Sequence, residues 1–190
     1  MLKADPIINY FSSKAKNYQD FWQRWPFNLI RKSESNAVLN SLLQACKNSD
    51  STESSNNDFK NKEILELGCG SGFYTRLLIE NNISQVFALD LSNEMLKNLP
   101  EGPITPIKAD ASNFTLDKKF ELLLSAGMLE FVSSPKNILT NLKKHAQDNC
   151  SLVLLLPRNN LFGHMYKAFH KRNKIKINLF SKSKIADLTK

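Results

Sequence analysis

The chain reads as an α/β protein built on an open parallel sheet with helices on both faces. Three observations predict this. Between residues 62 and 157, short apolar runs alternate with helical patterns, which is the signature of βαβ units. Two of the runs, LLLS at 122–125 and LVLLL at 152–156, are almost continuously apolar, as strands covered on both faces must be. Three of the six glycines, Gly68, Gly70 and Gly72, fall between the first run and a helical pattern, where a tight strand-to-helix turn is required.

Each element follows in order. Residues 7–32 carry Tyr10, Phe11, Tyr18, Phe21, Trp22, Trp25 and Phe27, interrupted by Pro26, and predict one or two short helices. Val38, Leu39, Leu42, Leu43 and Cys46 fall at helical spacing and predict a helix from Glu34 to Lys47, with Ser33 or Ser35 as its cap. Residues 1–47 thus form a helical, aromatic N-terminal cap. The Ser/Asn/Asp-rich tract at 48–61 buries too little to repay its ordering and is expected to be a flexible linker. The core, 62–157, holds runs at Glu63–Leu67, Gln85–Leu89, Thr105–Lys108, Phe120–Ser125 and Ser151–Leu156, with helices expected at 73–81, 92–98 and 136–146. The 110–119 connection is unassigned. Residues 158–190 form a basic, aromatic tail that closes on the start of a capped helix, SKSKIADLTK. The whole is read as a single domain of 190 residues.

Charge is unevenly spread. Residues 1–157 hold 17 Lys/Arg and 17 Asp/Glu, whereas residues 158–190 hold nine Lys/Arg and one acid, Asp187, so the tail carries the whole net charge of +8. This excludes a protein coated evenly in basic charge. No apolar run is long enough to span a bilayer, and Met1–Tyr10 lacks the pattern of a secretory signal. Cys46, Cys69 and Cys150 are too widely spaced for a metal or disulfide framework, so no metal site is expected, and a reducing cytoplasm is the expected setting.

The glycine loop, ILELGCGSGFYT, offers close backbone approach and a helix N-terminus, so it is a seat for a cofactor at the carboxyl end of the first strand. A nicotinamide reading would want a third glycine where Phe73 stands. Asp90 ends the second strand, 18 residues past Gly72, where an acid accepts from ribose hydroxyls; its alternative is a turn acid before Ser92. Asp110 ends the third strand, where it either accepts from an exocyclic amine or caps a helix.

The ordered set ILELGCGSG, VFALDLSNEML, IKADA and FELLLSAGMLEFV resembles the class I S-adenosylmethionine-dependent methyltransferases, most nearly their small-molecule and lipid-quinone branch. The resemblance covers about residues 62–157. It implies a Rossmann-like twisted sheet of strand order 3-2-1-4-5 and S-adenosylmethionine as cofactor, with S-adenosylhomocysteine as product. By the same resemblance, Glu66, Gly68, Cys69 and Gly70 would face the methionine part of the cofactor and Gly72 would shape the turn. Asp90 would hold the ribose diol and Leu91 would pack on the adenine. Asp110 and the Ala111 N–H would meet the adenine edge, and Ser125, Ala126 and Gly127 would lie near the methionine amine. Cys69 reads as a spacer.

The acceptor is then a small or lipid-like molecule, methylated by direct in-line transfer. The Asn/Asp-Pro-Pro-aromatic motif of base-amine methylation is replaced by Ser125-Ala126-Gly127-Met128, and no cysteine nucleophile stands near the end of the fourth strand, so nucleic acid is an unexpected substrate. Glu130 either orients the acceptor or is a helix-start acid; His164 either faces the pocket or is solvated. His145, on a Lys-rich helix, is expected at the surface. Tyr18, Trp22 and Tyr166 are candidates to line the acceptor pocket. Leu161, Phe162, Met165, Tyr166 and Phe169 share a helical face, which either lies on an anionic membrane surface or covers the pocket with its basic side in solvent; RNA binding is a third reading. Similar enzymes end in an antiparallel hairpin, strands 6 and 7, which the resemblance leads one to expect and for which no strands are read after Phe180. That would leave the fifth strand as an edge, exposed by truncation, covered by the basic tail, or paired with a second copy or a partner chain. A truncated or degenerate chain that binds cofactor without turnover is the competing reading.

Overall fold

The computed structural model describes residues 6–15, 27–49 and 59–188. Helices α1 (Pro6–Lys14) and α2 (Phe27–Ser49) precede β1 (Glu63–Leu67), α3 (Phe73–Glu80), β2 (Gln85–Asp90), α4 (Asn93–Leu96), β3 (Ile104–Lys108) and β4 (Phe120–Ala126). A 3₁₀ turn at Leu129–Phe131, α5 (Pro135–Lys143), β5 (Ala146–Leu155), α6 (Leu161–Arg172) and α7 (Lys182–Leu188) complete the described chain. The strands form one sheet in the expected order β3-β2-β1-β4-β5, with each neighbouring pair parallel.

The order reverses at β1, so the chain leaves β1 towards β2 on one side and β4 lies on the other. Leu67 is level with both Leu89 and Ser125, which brings the carboxyl ends of β1, β2 and β4 to one crevice. That crevice is where open α/β sheets bind ligands.

Alternation along β1 divides the core. Ile64 faces Val38, Leu42 and Cys46 of α2 and Tyr74 and Leu78 of α3. Leu65 and Leu67 face Phe114, Phe120 and the apolar side of α5, Ile138, Leu139 and Leu142. Burial on both faces explains why the strands read as unbroken apolar runs. Pro135 opens α5, where its missing N–H costs nothing.

Several elements differ from expectation. Helix α2 runs unbroken from Phe27, because nothing after Pro26 stops it. Within it, Ser35 donates its hydroxyl to the Lys32 carbonyl at 2.9 Å and Ser41 to the Ala37 carbonyl at 2.8 Å; Ser35 bonds back to the helix rather than capping it. Strand β5 begins five residues early, at Ala146. Phe120 pairs with Ala146 but Leu122 with Ser151, so the exposed Gln147, Asp148 and Asn149 bulge from the ladder. Their polarity hides the strand from any hydrophobic pattern.

His145 corrects the surface assignment: it is buried. Helix α5 ends at Lys143, and the chain turns inward to start β5. The ring stacks on Phe114 at 4.3 Å, and its Nε2 accepts the Leu116 N–H at 3.1 Å. Nδ1 therefore carries the proton, which it donates to the Asn141 carbonyl at 3.1 Å.

The segment after residue 157 is packed onto the body. Phe180 is buried under the α5 face, and its N–H donates to the Pro157 carbonyl at 3.0 Å. Asn178 donates its N–H to the Glu130 carbonyl at 2.8 Å and its side-chain amide to the Val132 carbonyl at 2.7 Å. Ile175 and Ile177 pack with Phe131, Tyr10 and Phe11. On α6 the inward residues are Gly163, Tyr166 and His170, whereas Leu161, Phe162, Met165 and Phe169 face solvent. The expected apolar cover over the pocket is thus not formed by that face. Among the described residues, no helix is long and apolar enough to cross a membrane.

Candidate functional site

The glycine loop leaves β1 at Leu67 and turns at once. The N–H groups of Gly68 and Cys69 both donate to the Leu89 carbonyl, at 2.7 and 3.1 Å, locking the loop across the end of β2. The three glycines serve different purposes. A Cβ on Gly68 would overlap the Met128 side chain, and one on Gly72 would press Leu99 and Pro100. Gly70, at φ +56°, would meet nothing within 4 Å. Packing therefore demands the outer two, while the face of Gly70 is open to the crevice.

Asp90 stands beside that opening. Its Oδ2 accepts the Gly70 N–H at 2.9 Å and its Oδ1 the Ser92 N–H at 2.8 Å. Burial pushes its pKa up, and the backbone N–H bonds oppose this. Leu91 is exposed next to it. Ser92 caps α4 by accepting the Met95 N–H at 3.2 Å, and its hydroxyl meets that of Ser12 at 2.8 Å. Helix α1 thereby crosses from the end of β2 to the turn after β4, where Phe11 meets Phe131 edge-on at 4.9 Å. Tyr18 and Trp22, expected to line the pocket, lie outside the described residues.

Glu66 is 2% exposed, and its Oε2 accepts the Thr75 hydroxyl at 2.6 Å. Burial raises its pKa to about 8, with the charge of Asp90 adding to the effect. Glu66 thus sits beneath the loop, tied to α3, as a neutral acid at neutral pH. The Cys69 thiol is pushed up by burial and by the same two carboxyls, so it stays protonated, in keeping with a spacer.

On the β4 side, Ser125 is buried and its Oγ has no partner. Ala126 is half-buried, and Gly127 turns the chain at φ +73°. In the 3₁₀ turn that follows, the Glu130 carboxyl folds back so that its Oε1 lies 3.8 Å from where a Gly127 Cβ would stand. The carboxyl is buried, its Oε2 has no partner, and burial raises its pKa to about 8. An unpaired buried polar atom is costly unless something else satisfies it.

The end of β3 completes the rim. Asp110 is exposed, and its Oδ1 accepts from the Ser112 N–H at 2.8 Å and the Ser112 hydroxyl at 2.7 Å. Ala111 beside it is buried. His164 is not part of this constellation: it is exposed, and its Nε2 meets Asn159 Oδ1 at 2.9 Å. Tyr166 is half-buried against Ile175, Ile177 and the His170 ring, 4.6 Å away.

Sequence reasoning missed Thr75, Met128 and Arg31. The Arg31 guanidinium, from α2, lies 4.6 Å over the Phe73 ring, donates to the Tyr74 hydroxyl at 3.4 Å and pairs with Glu34 at 3.6 Å. A polar Thr75 on the buried side of α3 was a readable signal. Met128 and Arg31 offered none, because long-range packing alone places them. Among the described residues, no cluster of His, Cys, Asp and Glu is arranged to hold a metal ion.

Comparison with known proteins agrees with this geometry. A family model described as a methyltransferase domain matches residues 65–154. The malonyl-[acyl-carrier protein] O-methyltransferase of Priestia megaterium is 25% identical over 96% of this chain and 62% of its own length. That of a Paenibacillus species is 29% identical over 56% of this chain and 43% of its own. The chain thus spans less than two thirds of these relatives. The magnesium protoporphyrin IX methyltransferase of Synechocystis, solved with bound S-adenosylhomocysteine, superposes with a TM-score of 0.70 at 14% identity, over 96% of this chain and 85% of its own. In its glycine loop, its strand order and the domain matched at residues 65–154, the chain is similar to the S-adenosylmethionine-dependent methyltransferases and shares their fold.

Proposed function

We propose that the chain binds S-adenosylmethionine in the crevice at the ends of β1, β2 and β4 and methylates a small or lipid-like acyl acceptor. The observation that carries this is the open face of Gly70 beside the Asp90 carboxyl. A side chain there would fill the space a ligand needs, although nothing in the packing forbids one.

The cofactor, when bound, supplies a methyl group on a sulfonium, so the protein's task is alignment and exclusion of water. Asp90 has lone pairs left for the ribose hydroxyls. Leu91 offers its exposed face to the adenine, and Asp110 and the Ala111 N–H its polar edge. The Ser125–Gly127 backbone and the unpartnered Ser125 hydroxyl would take the amino-acid end. Glu66, tied to Thr75, would support the loop and face the methionine part of the cofactor.

The acceptor reading rests on the relatives, which are named for O-methylation of a malonyl group carried on a protein. Glu130 suits it. With a pKa of about 8 the carboxyl holds its proton at neutral pH and is a hydrogen-bond donor, fit to hold an acceptor oxygen rather than to remove a proton from it. The test is transfer of labelled methyl from S-adenosylmethionine to a panel holding malonyl carrier-protein thioester, free malonate, fatty acids and phenols. Label on the carboxyl-bearing thioester is expected, with a roughly tenfold or greater loss in Glu130→Ala and smaller loss in Glu130→Gln. Cofactor binding with no label on any acceptor would favour a chain that binds without turnover.

A further inference from the structure

Helix α6 presents its most apolar side to solvent. Leu161, Phe162, Met165 and Phe169 are 73%, 76%, 61% and 46% exposed. At 3.6 residues per turn they fall within an arc of about 100°, one continuous stripe rather than scattered surface residues.

The orientation is fixed. At the start of the helix, Gly163 lies against the Arg158 carbonyl so closely that a Cβ would overlap it. Asn160 caps the helix by accepting the Gly163 N–H at 2.9 Å. One turn and two turns on, Tyr166 and His170 pack against each other and into the Phe131 cluster, with the Phe131 and His170 rings 5.6 Å apart. Rotating the helix to bury the stripe would expose these rings and drive a side chain into the space only Gly163 fits. The stripe is therefore held outward by the body of the fold.

Its surroundings are cationic. Lys167, Lys171 and Arg172 lie on α6 itself, all exposed, and Lys174 and Lys176 follow it, also exposed. Residues 158–190 contain one acid, Asp187, beyond the helix. At the same spacing Arg172 falls within the arc of the stripe and Lys171 lies beside it, whereas Lys167 faces away.

We infer that α6 is a docking face for an anionic lipid surface, lying in the headgroup plane with Leu161, Phe162, Met165 and Phe169 inserted and Arg172 and Lys171 against the charged headgroups. A helix with an apolar side and a Lys/Arg-rich flank, on a face that needs no shape complementarity, fits a fluid interface. Long basic side chains extend along such an interface while their stems stay in apolar contact. The inference stands without the methyltransferase reading.

The test is sedimentation of the whole protein with vesicles of phosphatidylcholine alone and of phosphatidylcholine mixed with phosphatidylglycerol, at low and high salt. Binding to the anionic vesicles is expected, weakening as salt rises. Phe162→Ser with Phe169→Ser should weaken it tenfold or more, and Lys171→Gln with Arg172→Gln by roughly tenfold at low salt. Because these side chains are exposed, the variants should keep the wild-type melting temperature and any S-adenosylhomocysteine affinity, which separates failure of this inference from failure of the site assignment. Equal binding by the apolar variants, no binding to anionic vesicles, or binding to an acidic carrier protein in place of vesicles would each overturn it.

Discussion

Replacing Glu66 with Gln is expected to stabilise the protein increasingly as pH rises from about 5 to 8, and to leave it nearly unchanged below the ordinary carboxyl pKa. Glu66 is closed off beneath the glycine loop, bonded to the Thr75 hydroxyl and close enough to Asp90 to feel its charge. Its folded pKa of about 8 stands above the ordinary carboxyl value of 4.5. Between those values the folded protein keeps a proton that the unfolded chain has released. Stability therefore falls as pH rises through that window, by about 1.4 kcal/mol per unit, or about 4 kcal/mol by pH 7.5. Gln cannot titrate, yet it keeps an oxygen for the Thr75 hydroxyl. Subtracting the urea-unfolding free energies of the two proteins, measured at steps between about pH 5 and pH 8, isolates the Glu66 contribution, since Glu130 titrates in both. The difference should grow steadily in favour of Gln across the window. A constant difference, or a variant that loses ground as pH rises, would mean that the carboxylate is ionised and satisfied beneath the loop, and the reasoning from burial would fail.

Two further outcomes follow from the packing. Gly68→Ala should cost about 2 kcal/mol or more, because its Cβ would overlap Met128, whereas Gly70→Ala meets no atom and should cost about 1 kcal/mol for its left-handed backbone alone; urea unfolding of both orders them, and equal losses would refute the distinct roles. His145→Ala should cost about 2–4 kcal/mol by stranding the Leu116 N–H and opening a void beside Phe114; wild-type stability in that variant would return His145 to the surface.

How far the chain could be read in advance depended on whether an element's character is local. The apolar runs and the glycine turn are local, and they stand where expected. The strand order was implied by resemblance, since no periodicity states which strands are neighbours. The first half of β5 was illegible because Gln147, Asp148 and Asn149 are polar and bulge from the ladder. His145 was misread from its neighbours Lys143 and Lys144, which face solvent while the chain turns inward just after them. Helix α6 has two sides that can pack, one with Tyr166 and His170 and the other with Leu161, Phe162, Met165 and Phe169. Hydrophobicity favours the second, but Gly163, fitted against the Arg158 carbonyl, decides for the first. In the crevice, Asp90 and the glycines were legible as a motif; the support from Thr75 and the Arg31 guanidinium above Phe73 came only from tertiary packing.

The central claim is that the open face of Gly70 and the Asp90 carboxyl form a nucleoside-binding crevice. Isothermal titration with S-adenosylhomocysteine tests it most directly, on the wild type, Asp90→Ala and Gly70→Val. Saturable one-to-one binding is expected for the wild type, weakened tenfold or more in each variant, in line with the loss of charge-assisted hydrogen bonds in the first and of the cradle in the second. No binding by a folded wild type, or undiminished affinity in Asp90→Ala, would contradict the account.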